Sequence, residues 1–182
     1  FFTFWVVEPE IKIEERKKEK LGLGSLVGLG AFTVTSFLIV FYFFNMSVLN
    51  SILPIYVNES PKFLLGALEI GLMFTVMGVA GTPAQLLLGE LSDRIGRKSL
   101  IILGMALNSL IFGLFPSISG IAQLYFTVAI FEIGGAAITT CMLALLSDNV
   151  PPSLQGFAIG TYGAFEDLGI LLGPLIASYV YE

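Results

Sequence analysis

The sequence predicts an all-α polytopic membrane protein: a helical bundle of five full transmembrane helices preceded by the tail of a sixth. Three observations predict it. Of 182 residues, 55% are hydrophobic and only 13% charged, with a mean hydropathy of +0.89; soluble domains carry about a quarter charged residues. Apolar stretches near the roughly 20 residues needed to cross a bilayer recur along the chain, separated by short polar breaks. The cations then fall on alternate breaks, as the positive-inside rule requires.

Taken in order, residues 1–7 read as the end of a span. Residues 8–25 read as a charged linker, its charge running from Glu8 to Lys20. Residues 26–182 hold five predicted helices at about 26–50, 69–88, 99–119, 123–146 and 156–180. The first is rich in aromatics (Phe37, Phe41, Tyr42, Phe43, Phe44), expected to face lipid or core, and is expected to stop at Pro54 and the polar run Asn58 to Lys62. The second opens on Glu69, where an acid suits the positive end of a helix dipole, and closes on a charged segment. Pro116 to Gly120 separates the third from the fourth. Asp148 to Ser153, with paired prolines that cannot continue a helix, separates the fourth from the fifth. The chain opens on Phe1-Phe2-Thr3 and closes on Tyr181-Glu182 directly after an apolar run, which reads as a fragment of a longer protein.

Several function classes have nothing to stand on. There is one cysteine, Cys141, and no histidine, so no intrachain disulfide and no Cys/His metal site can form. Cys141 sits in an apolar run, where burial is the expected role. No phosphate-cradling glycine loop, nucleophile–base pair or basic-aromatic nucleic-acid surface is present. The expectation is a protein that is not an enzyme, carries no cofactor and no metal, and binds no nucleic acid.

Orientation follows from the cations. Lys12, Arg16, Lys17, Lys18 and Lys20 precede the first full span, and Arg94, Arg97 and Lys98 lie between the second and third, so eight of nine cations share one side and Lys62 alone is opposite. Positive loops stay in the cytoplasm. The linker and the 89–98 segment are therefore expected to be cytoplasmic, in an integral protein of the plasma membrane.

That segment, Gly89-Glu90-Leu91-Ser92-Asp93-Arg94-Ile95-Gly96-Arg97-Lys98, carries more than an anchor. Charge bias explains the cations, but not an acid and two glycines fixed among them. Gly96 allows a sharp, left-handed turn, Gly89 allows close helix approach, and Asp93 is placed to cap a helix or pair with Arg94 or Arg97. The segment resembles the signature loop G-x-L-[SA]-D-R-x-G-R-[RK] of the major facilitator superfamily of secondary transporters at every defined position. The resemblance implies an MFS-type bundle, with Gly89, Asp93, Arg94, Gly96, Arg97 and Lys98 as gating residues and not substrate ligands. It also implies that Phe1–Lys20 is the end of helix six with the central linker, and the five spans are helices seven to eleven of the carboxy-terminal half. The arginine expected in the fourth helix of an amino-terminal half, ahead of a stretch like Gly134-Gly135-Ala136-Ala137, is Ala129 here. The other reading is the amino-terminal half, with Gly173-Pro174 opening an antiporter motif whose paired glycines are replaced by Ala177-Ser178.

Glu132 falls near the middle of the fourth span, and Glu166 and Asp167 near the middle of the fifth. An ionised acid at mid-bilayer costs at least about 2.5–3.5 kcal/mol and is a functional-site candidate by default. These three, with Asn45 and Asn50 of the first span, are the expected proton or substrate site. Gly24-x-x-x-Gly28, Gly156-x-x-x-Gly160 and Gly169-x-x-x-Gly173 have the spacing of close helix packing, and Pro83 and Pro174 mark possible bends. The expected partners are the lipid bilayer, a small-molecule substrate and the missing half of the same polypeptide. The expected function is alternating-access transport: proton-coupled export of drug-like amphipathic compounds, with H+ as coupling ion. Proton-coupled or facilitative uptake of sugars or organic acids is the alternative, and a non-transporting receptor or scaffold of the same fold is the alternative from another class.

Overall fold

The computed structural model describes residues 30–181. They form α1 (Gly30–Glu59), α2 (Ala67–Ile95), α3 (Arg97–Leu114) with a short 3-10 turn at Phe115–Ser117, α4 (Ile121–Asp148) and α5 (Gln155–Tyr181). The expected span tail at 1–7, the linker at 8–25 and the Gly24–Gly28 pair lie outside these residues.

Four helical stretches, Phe32–Glu59, Ala67–Ile95, Arg97–Ser117 and Ile121–Asp148, are long and apolar enough to cross a membrane. Helix α5 is not among them, although its 27 residues reach about 40 Å at roughly 1.5 Å per residue. The adjacent acids Glu166 and Asp167 interrupt its apolar run. Five helices thus stand where five were expected, and four of them meet that test among the described residues.

Two predicted boundaries move. Helix α1 runs through Pro54 to Glu59, because one missing N–H in a long helix is locally re-satisfied. It ends where Leu65 N–H bonds Val57 O (3.0 Å) and the Asn58 amide donates to Leu65 O (2.8 Å). Helix α2 continues through the charged segment to Ile95, so the supposed loop is a single residue, Gly96, between two helices. Polar side chains do not stop a helix where its end emerges from the apolar layer; only the backbone of Gly96 does.

Close approaches fix the helix directions. Gly81 lies against Glu132 and Gly89 against Thr140, so α2 and α4 run parallel. Gly169 lies against Val40 and Gly173 against Ser47, so α1 and α5 also run parallel. Gly104 meets Gly134, Ala137 and Ile138, packing α3 against α4. Helix α4 is thus the shared element of the bundle, with Phe131, Ile138, Cys141 and Met142 almost wholly enclosed.

The buried side chains form two clusters. One, at the Gly96 end, includes Phe32, Leu100, Cys141, Leu146 and Leu154. The other, at the opposite end, includes Val57, Phe63, Met73, Leu124 and Val128. Val34, Phe37, Leu86, Ile102 and Leu175 point outward and are more than half exposed, a surface suited to lipid.

Candidate functional site

Two polar features stand out from the apolar bundle. The first is at the α2–α3 junction. Gly96 holds φ 92° and ψ 133°, a conformation L side chains resist, and this turns the chain so that Arg97 begins α3. Arg97 Nε then lies 2.8 Å from Asp148 Oδ2 at the end of α4, and its guanidinium is 3.5 Å from Asp93 Oδ1. One arginine thereby ties the ends of α2, α3 and α4. Arg94 and Lys98 are exposed, and among the described residues neither has an acid within 4.0 Å. Asp93 does not cap α3, whose N-terminus has no side-chain cap bond. Asp148, which sequence reading treated only as part of a helix break, is the stronger partner; an acid at the last residue of a helix gave no signal of its own.

The second feature lies at mid-depth. Glu132 from α4 and Glu166 from α5 line one cavity of about 390 Å³, together with Tyr42, Gln85, Thr139 and Tyr162. That volume is within the ~300–1,000 Å³ of small-molecule sites. Small residues make the space: a Cβ on Gly81 would sit 2.7 Å from Glu132 Cγ, and one on Gly135 2.6 Å from the Tyr42 hydroxyl. Oε2 of Glu132 is buried without a hydrogen-bond partner. Tyr42 donates only a weak bond, 3.6 Å, to Met46 Sδ.

The structure separates the other sequence-predicted residues from this cavity. Asp167 is exposed, on a different face of α5 from Glu166, as the roughly 100° between neighbours on a helix requires. Asn45 lines a different pocket, its amide donating back to Phe41 O at 2.7 Å. Asn50 lines neither, although its Oδ1 is buried and unpaired. Gly169 and Gly173 form the seat of α1 on α5, where the Ser47 hydroxyl donates to Ile170 O at 2.9 Å. Pro174 lies within the continuous α5 helix. Tyr42 and Phe43, expected to face lipid or core, line the cavity instead, and Gln85 and Tyr162 joined it without a sequence signal, because only packing shows which way such mid-span residues face.

Comparison with known proteins agrees with the signature segment. The family model described as Major Facilitator Superfamily matches residues 35–182. A "Multidrug resistance protein 3" of Bacillus subtilis is 32% identical over 60% of this chain and 21% of its own length. An "Uncharacterized transporter" of Buchnera aphidicola is 26% identical over 100% of this chain and 41% of its own length. A "Multidrug resistance protein MdtG" of Proteus mirabilis is 31% identical over 76% of this chain and 35% of its own length. The chain thus spans well under half the length of these relatives. No solved structure gives a significant match. With its membrane-length apolar helices, its intact signature segment and a family match over most of its length, the chain belongs to the major facilitator superfamily of membrane transporters.

Proposed function

We propose that this chain is the carboxy-terminal half of a proton-coupled exporter of cationic, amphipathic compounds, with H+ exchanged at Glu132 and Glu166. The observation that carries this reading is the cavity that Glu132 and Glu166 share. Two acids from different helices line it and, among the described residues, no lysine or arginine does. Such a site attracts a cation or a proton at the same position, which is what exchange of one for the other requires. The aromatic walls supplied by Tyr42, Phe43 and Tyr162 suit an amphipathic cation through ring-face attraction. An anionic sugar acid would meet only like charge there.

Relatives named for multidrug resistance support export of drug-like compounds. Ala129 in place of an arginine supports the carboxy-terminal assignment. In this reading the Arg97–Asp148–Asp93 cluster is a cytoplasmic latch that holds one access state, and the plasma membrane is its site.

The test uses the full-length protein in proteoliposomes with ethidium as the cationic probe. A proton gradient should drive ethidium transport by the wild type. Glu132→Gln should abolish gradient-driven accumulation while ethidium exchange without a gradient persists. Unchanged accumulation in that variant overturns the proton role of Glu132. Transport of a neutral sugar with no ethidium flux at all favours the uptake alternative.

A further inference from the structure

We propose that α5 carries a proline hinge held by Ser47. The Ser47 hydroxyl supplies the hydrogen bond that Pro174 withholds, and losing it frees the Pro174–Tyr181 end of α5 to bend. Proline has no N–H, so inside a helix the carbonyl four residues earlier loses its partner. Pro174 lies inside α5, and the carbonyl it leaves unpaired is that of Ile170. The Ser47 hydroxyl of α1 donates to that same oxygen at 2.9 Å, across 123 positions of sequence. Serine side chains of neighbouring helices are one of the ways a membrane helix re-satisfies a carbonyl freed by proline.

A helical serine ordinarily bonds closer to home. The hydroxyls of Ser51, Thr75, Ser109, Thr127 and Thr161 all donate to the carbonyl four residues back in their own helix, the usual local bond. Ser47 reaches another helix instead, from a buried position. Gly173 admits it: a Cβ there would sit 2.7 Å from Ser47 Cβ and 2.9 Å from its Oγ. Gly173 makes the room and Pro174 frees the acceptor, so the adjacent pair serves one hydroxyl.

The bond crosses the weakest point of α5. The proline ring crowds the Ile170 carbonyl and favours a kink there, while the bond to Ser47 keeps that carbonyl satisfied and α5 seated on α1. Glu166 lies one turn before Ile170, and Phe43 one turn before Ser47, and both line the carboxylate cavity. A shift of α1 against α5 at the cavity therefore reaches the hinge one turn away. Alternating access opens one end of a bundle at a time, and the hinge gives the Pro174–Tyr181 end a place to move. The inference concerns how α5 moves, and it depends neither on proton coupling nor on the substrate.

The test is the distance between spin labels on Leu68→Cys and Tyr179→Cys in the full-length protein cleared of other exposed cysteines. Leu68, in the first turn of α2, and Tyr179, near the end of α5, lie at the same end of the bundle, and both are exposed. The parent should show one dominant distance and a minor second one. Ser47→Ala should raise the minor population about threefold to tenfold, the effect of one lost hydrogen bond. Pro174→Ala gives Ile170 O an N–H of its own helix, so in that background Ser47→Ala should change nothing. Ser51→Ala, which loses a bond within α1 only, should leave the distances as they are. A melting curve checks that Ser47→Ala is folded; if it is not, Ser47→Gly is read in the same way. Unchanged distances in the Ser47 variant, an equal shift with Ala at position 174, or an equal shift in Ser51→Ala overturns the proposal.

Discussion

Arg97, the first residue of α3, lies 2.8 Å from Asp148, the last residue of α4, and so the junction of α2 and α3 is tied to a residue more than fifty positions away. The Arg97 side chain is 24% exposed and that of Asp148 54%. A pair this open to solvent is worth under about 1 kcal/mol. Its value then lies in where it holds the helix ends, not in how firmly it holds the fold.

The first prediction follows from that pairing. Arg97→Gln and Asp148→Asn should each leave the melting temperature almost unchanged but alter the initial rate of transport in proteoliposomes. Because the bond that Asp148→Asn breaks is one of the two that Arg97→Gln removes, the double variant should be no worse than Arg97→Gln alone, a non-additivity expected of residues in contact. Fully additive rate losses would mean that the two residues act separately.

The two glycines of the signature segment should behave differently. Gly96 occupies φ 92°, and forcing a side chain into that region costs of order 1–3 kcal/mol. A Cβ on Gly89, by contrast, would rest 3.6 Å from the Thr140 methyl, an ordinary contact. Gly96→Ala is therefore expected to lower thermal stability clearly and Gly89→Ala hardly at all. Equal losses in a melting assay would show that Gly89 is needed for a tighter approach than this one.

Glycine pairs with the same spacing also diverge. A Cβ on Gly169 would meet Val40 O at 2.7 Å and Phe44 N at 2.9 Å, backbone atoms that cannot step aside, whereas Gly160 has nothing within 4 Å. Gly169→Ala should push α1 from α5 and cost about 1–3 kcal/mol, the range for overpacking. Gly160→Ala should be neutral or stabilising by up to about 1 kcal/mol, since alanine is the better helix former. A stable Gly169→Ala protein would sink the close α1–α5 seat.

These contrasts mark what the residues alone could reveal. Helix number, order and the breaks at Pro116 and Pro151-Pro152 were legible because hydropathy and proline act locally. The family was legible because the 89–98 segment is dense in fixed positions. Helix ends were not: Pro54 and the charged run from Glu90 to Ile95 look like stops, but both sit inside helices, since neither removes enough backbone bonds. Nor was the cavity. Glu132, Glu166 and Asp167 read alike in sequence, yet only the first two converge, because α4 and α5 meet through faces that hydropathy alone leaves undetermined. Asp148 carried no pattern, and its role exists only through Arg97, distant along the chain.

The last prediction concerns the wall of the carboxylate cavity, which Tyr42 and Gly135 both line. Gly135 leaves room for the Tyr42 hydroxyl: an added Cβ would lie 2.6 Å from it, while the next Tyr42 atom, Cζ, would be 3.9 Å away. Gly135→Ala should therefore destabilise the wild type by about 1–3 kcal/mol through overpacking. Tyr42→Phe removes the one atom in conflict and gives up only the weak bond to Met46, so alone it should cost little. In the Tyr42→Phe background, Gly135→Ala should become nearly silent, giving a coupling of about 1–2 kcal/mol in a double-mutant cycle of thermal or denaturant unfolding. The same pair separates packing from transport. Tyr42→Phe alone deletes a hydroxyl from the carboxylate cavity, so a loss of ethidium transport in that single variant belongs to the hydroxyl, and any further loss in the double variant belongs to the methyl that Gly135→Ala adds to the cavity wall. Equal destabilisation by Gly135→Ala in both backgrounds would show that the glycine serves the α4 backbone and not the tyrosine.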